Sequence, residues 1–130
     1  NVASGGELSR VMLAVKTVLA DEEDTPTLIF DEIDTGISGI TAGKVGEKLR
    51  LIGRSRQVIC ITHLPQIAAA ADSHFLISKE TDGRTVKTDI ALLDEEASVQ
   101  ELARMLGGAN VTGRILESAG EMKELAKSET

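Results

Sequence analysis

Thr27-Leu28-Ile29-Phe30-Asp31-Glu32 runs from a short apolar stretch straight into two adjacent acids. Four such residues without helical spacing, closed by charge, read as a strand buried on both faces, as in a parallel sheet. Ile33-Asp34-Thr35-Gly36 then forms a loop. Upstream, Leu8, Val11, Met12, Val15, Val18 and Leu19 recur at helical spacing and predict a helix over 6–20. Asp21-Glu22-Glu23-Asp24 breaks that pattern as a solvated acidic tract. Downstream, Ala42, Val45, Leu49 and Ile52 predict a helix over 40–52 that stops at Gly53. Gly43 and Gly46 each cost that helix roughly 1 kcal/mol against Ala, and close packing on the sheet would explain them.

Gln57–Ile61 reads as a second buried strand holding the single cysteine, Cys60, as a small hydrophobe. Pro65 suits the start of a short helix through Ala71. A strand over 73–78, the turn signal Asp82-Gly83 and a return strand through Leu92 form a hairpin. The capping-box spacing Ser98-x-x-Glu101 predicts a helix ending at Gly107-Gly108, and a last helix covers 112–126 with Glu117, Glu121, Lys123 and Glu124 exposed. The class is therefore α/β: a mostly parallel sheet flanked by helices, with a β-hairpin and two closing helices.

The composition excludes several functions. With 14 Lys and Arg against 21 Asp and Glu, the net charge is −7 over 130 residues. No basic stripe exists to grip a phosphate backbone. Two Phe and no Trp or Tyr leave no row of base-stacking platforms. One cysteine excludes an internal disulfide and a cysteine-cluster zinc site. No apolar run approaches the ~20 residues of a membrane span. The chain does not begin with Met and reads as one piece, 1–130, of a larger domain.

Three stretches carry chemistry. The strand ending at Asp31-Glu32 brings two carboxylates to the edge where open α/β sheets bind ligands. One can hold hydrated Mg²⁺, which needs few protein oxygens, while the other addresses a water. An ordinary acidic turn is the alternative. Ser4-Gly5-Gly6-Glu7 opens the first helix. Its spacing is also a capping box, but the two glycines suit close approach of an anion to a helix N-terminus. His63 follows the second strand, either as a structural histidine or as a phosphate contact on the same edge. Gly39–Val45 imitates a phosphate loop, yet the pattern G-x-x-x-x-G-K-[ST] would need Gly at 38 and Ser or Thr at 45. Ser38 and Val45 stand there.

Taken together, these stretches resemble the C-terminal half of an ATP-binding-cassette ATPase head. Ser4–Glu7 looks like its signature motif, Leu28–Glu32 like its Walker B strand, Asp34–Ser38 like its D-loop, and His63 like its switch histidine. Within that superfamily, Ala3–Arg10, Asp31–Gly39, Thr62–Ala68 and Glu101–Gly108 look most like the SMC-like group, and there like its bacterial double-strand-break repair branch. The resemblance implies ATP and Mg²⁺ as cofactors, with Asp31 on the metal and Glu32 as general base. His63 would meet the γ-phosphate, and Ser4, Gly5, Gly6 and Glu7 would meet the ATP of an opposing head. Asp34 and Ser38 would lie in the D-loop. The implied partners are a second copy of the head, the chain's own Walker A half, and DNA reached through the full-length protein. A cytoplasmic, nucleoid-associated, membrane-free setting is implied too. Ala3 replaces the usual signature Leu, and Ser38 replaces the usual D-loop Asp. No Walker A loop is present, so this segment alone is expected to be inactive. The alternative is another ABC-type subunit, of chromosome-structure or transporter type. Asp34 and the lack of Pro-Thr after Glu32 argue against a transporter.

Overall fold

The computed structural model describes residues 13–19, 21–22, 24–31, 33 and 36–128. Helical residues 13–19 (α1) precede β1 (Thr27–Asp31), α2 (Gly39–Ile52), β2 (Gln57–Ile61) and α3 (Pro65–Ala68). The hairpin β3 (Phe75–Thr81) and β4 (Val86–Leu92) follows, then α4 (Glu95–Gly107) and α5 (Gly113–Ser128). The α/β class holds. The hairpin, however, stands as its own antiparallel sheet rather than as an edge of the parallel β1–β2 pair.

β1 and β2 start together because their N-terminal ends are pinned. Gln57 N–H donates to Pro26 O at 2.9 Å, and Thr27 Oγ1 donates to Gln57 Oε1 at 3.1 Å. The Arg56 guanidinium also joins Thr25 O to the Asp21 carboxylate. Thr27 then pairs with Gln57 and Asp31 with Ile61 in register. Backbone groups alternate sides along a strand, so with Pro26 O aimed at β2, Ile29 O faces the other way. Lys16 Nζ donates to it at 3.1 Å, which blunts that edge of β1.

The expected burial on both faces is corrected to burial on one. Leu28 and Phe30 enter a core with Leu13, Ile33, Ala42, Val45, Leu49 and Ile67. Ile29, Ile59 and Ile61 lie 58%, 43% and 45% exposed on the opposite face. Cys60 is half-buried against the same core. Only one covering layer lies within the described residues.

Three helix readings change. α4 starts a turn earlier than Ser98: Asp94 is its cap, accepting from Ala97 N–H at 2.8 Å, with Glu95 and Glu96 favourably placed in the first turn. Lys123 is not on an exposed face. It is buried and reaches Glu95 Oε2 at 2.9 Å, which joins α5 to α4 beside a second core of Ala68, Ala69, Leu102, Ala103 and Ala119. The short helix from Pro65 ends at Ala68, not Ala71. The strand expected over 73–78 lies at Phe75–Thr81. Its turn is as read, with Gly83 at φ 89 and Asp82 Oδ1 accepting from the Arg84 and Thr85 amides.

Packing on the sheet does not explain the glycines of α2. A Cβ on Gly46 would sit 3.1 Å from Gln66 O and 3.3 Å from Ala70 Cβ, so this glycine admits the α3 segment. Gly43 meets nothing within 4 Å. Gly43→Ala is therefore expected to stabilise the chain by about 0.5–1 kcal/mol through helix propensity. Gly46→Ala is expected to cost about 1–3 kcal/mol, because backbone must move. Urea midpoints of the two variants should shift in opposite directions.

Candidate functional site: the C-terminal edge of the parallel pair

β1 and β2 run the same way and end level, so Asp31 and the residues after Ile61 emerge at one edge. Asp31 is exposed and shares its face with Ile29, Ile59 and Ile61. Past β2 the chain turns sharply as Thr62 Oγ1 accepts from Leu64 N–H at 3.0 Å. Between them His63 is exposed on the same edge. Pro65 then begins α3.

The loop beyond Asp31 returns through Gly36, whose φ of 73 is the left-handed conformation that glycine tolerates best. Ser38 ends this loop as the N-cap of α2. Its Oγ accepts from Thr41 N–H at 3.4 Å and lies 3.2 Å from Thr41 Oγ1. The serine at the D-loop position thus has a structural duty of its own. One close contact escaped the sequence reading. A Cβ on Gly39 would fall 2.9 Å from Gln66 Nε2, so the start of α2 and the segment after His63 touch through this glycine. The spacing G-x₂₆-Q carries no local signal.

The structure therefore brings Asp31 and His63 to one edge, with Ser38 capping the adjoining helix. Ser4, Gly5, Gly6, Glu7, Glu32 and Asp34 lie outside the described residues. A carboxylate at an exposed strand end suits a hard cation that keeps most of its waters. Among the described residues no three His, Cys, Asp or Glu converge into a closed cage. A groove of about 540 Å³ between α2 and α5 is a different place: it is lined by Ile40, Met122 and Leu125, among others, and includes neither Asp31 nor His63.

No protein-family model matches the chain. DNA repair protein RecN of Halalkalibacterium halodurans is 48% identical over 98% of this chain. RecN of Vibrio cholerae is 49% identical over 93%, and RecN of Treponema pallidum 51% identical over 93%. The chain is a RecN-like segment. It spans only 21–22% of the length of these curated relatives. A solved chain from work on ATP-driven dimerization and DNA-stimulated activation of SMC ATPases superposes with a TM-score of 0.67. It shares 23% identity, over 83% of this chain and 65% of that one. That likeness gives the RecN-like segment the fold of an SMC ATPase head. No described helix of the segment is long and apolar enough to cross a membrane.

Proposed function

We propose that this RecN-like segment is the part of an SMC-like DNA-repair ATPase head that supplies the metal-binding and water-activating acids. What supports the reading most is one observation: Asp31, and His63 two residues past its partner Ile61, emerge at the C-terminal edge of two paired parallel strands. In phosphoryl transfer, positioning and charge stabilisation supply most of the catalysis. Asp31 would hold Mg²⁺, and Mg²⁺ when bound neutralises charge on the phosphates. Glu32 would orient and deprotonate the attacking water, and His63 would donate to the terminal phosphate. Ser4, Gly5, Gly6 and Glu7 would serve the ATP of a second head, with Asp34 and Ser38 between the two.

The phosphate cradle belongs to a Walker A portion of the longer polypeptide. The uncovered face of Ile29, Ile59 and Ile61 ends at Asp31, so a layer laid on it would arrive beside the metal-binding carboxylate. The hairpin offers a second apolar face, where Phe75 pairs with Leu92 and Ile77 with Ile90, all at least half exposed. Two such heads, carrying DNA through the rest of the protein in the nucleoid, would close around shared ATP. The test is Mg²⁺-dependent ATP turnover by the longer polypeptide. Asp31→Asn is expected to raise the Mg²⁺ needed for half-maximal turnover, and an unchanged requirement would remove Asp31 from the metal.

A further inference from the structure

The β3–β4 hairpin is only lightly joined to the other described elements, and His74 at its base makes a side-chain bond to a helix. β4 is exposed at every position, and no other described element packs broadly on either strand. At its base His74 O accepts from Leu93 N–H at 2.9 Å, which extends the ladder beyond the Phe75–Leu92 pair. The ring of the same residue faces inward. Its Nδ1 lies 2.7 Å from Ser98 Oγ on α4, and Ser98 is 1% exposed. One histidine therefore ends the hairpin with its backbone and anchors it with its side chain.

Two charges act on that ring. From α4 comes Glu101, itself held by Arg104 Nε at 2.9 and 3.0 Å. From α5 comes Lys123, itself held by Glu95 of α4. Both carboxylate and ammonium are buried. An imidazole here is half-buried, and one of its charged neighbours is a cation.

We propose that His74 is a protonation-sensitive latch: the neutral ring fastens the β3–β4 hairpin to the α4–α5 pair, and charging the ring releases it. Burial, the larger cause, and Lys123 both press the His74 pKa below its ordinary value, while Glu101 opposes them. The released ring binds a proton more readily than the latched one. Latching is therefore complete above the ordinary histidine pKa and weakens as pH falls through it towards the lower, latched value. The proposal concerns the hairpin alone and does not depend on the ATPase reading.

Hydrogen exchange of the 130-residue chain between pH 5 and 7.5, corrected for intrinsic rates, tests it. Protection of the 75–92 amides should fall with pH while that of α2 holds. The fall should match the gap between released and latched ring pKa values, about tenfold for each unit. His74→Asn keeps a polar partner for Ser98 and cannot titrate, so its hairpin protection should be flat across the range. Ser98→Ala, a mild change within a helix, should lower hairpin protection at pH 7.5 and leave α2 unchanged. A wild-type profile that is flat, a slope that survives in His74→Asn, or full protection in Ser98→Ala would each overturn the latch.

Discussion

Phe30→Ala is expected to lower stability by about 3–5 kcal/mol, while Ile29→Ala next to it costs about 1 kcal/mol or less. Phe30 is fully buried at the centre of the first core. Truncating it loses the transfer energy of the ring and leaves a cavity between β1 and α2. It also removes the surface over which Lys16 Nζ lies, 5.2 Å from the ring centroid. Ile29 lies on the uncovered face and is 58% exposed. A domain commonly holds only about 5–15 kcal/mol in total, so Phe30→Ala approaches unfolding. With a urea slope of about 1–3 kcal/mol per molar, its midpoint should fall by about 2 M. Equal costs for the two neighbours would contradict one-sided burial of the sheet.

That contrast marks how far the sequence could be read. The apolar run at 27–30, the spacing in α2 and the Asp82-Gly83 turn are local signals, and each placed its element correctly. Which side of a continuous apolar strand is covered is a tertiary fact. Residues 27–30 look the same whether one layer or two packs on them. The start of α4 failed for another reason. Ser98 and Glu101 have capping-box spacing, but Asp94 offers a carboxylate one turn earlier, with two acids behind it. Ser98 is left to bond His74, and Glu101 to hold Arg104. Lys123 was misread because charge implies exposure only where no partner waits, and Glu95 is 28 residues away. The placement of Asp31 and His63 at one edge was more legible than its supports. Asp31 and His63 follow directly from strand ends in a parallel pair. The Gly39–Gln66 contact needed coordinates.

The largest catalytic effect is expected at Glu32. A positioned general base contributes about 10²–10⁴-fold to such a reaction. Gln has nearly the same shape and an oxygen to orient water, but it does not take up the proton. Glu32→Gln should therefore leave ATP binding intact and stop the chemical step. The decisive measurement is single-turnover ATP hydrolysis, with Mg²⁺, by the longer polypeptide carrying Glu32→Gln beside the unaltered protein. Bound, unhydrolysed ATP and a rate lower by about 10²–10⁴-fold are expected. Hydrolysis that continues undiminished would contradict the general-base role, and the acids after β1 would then be an ordinary turn.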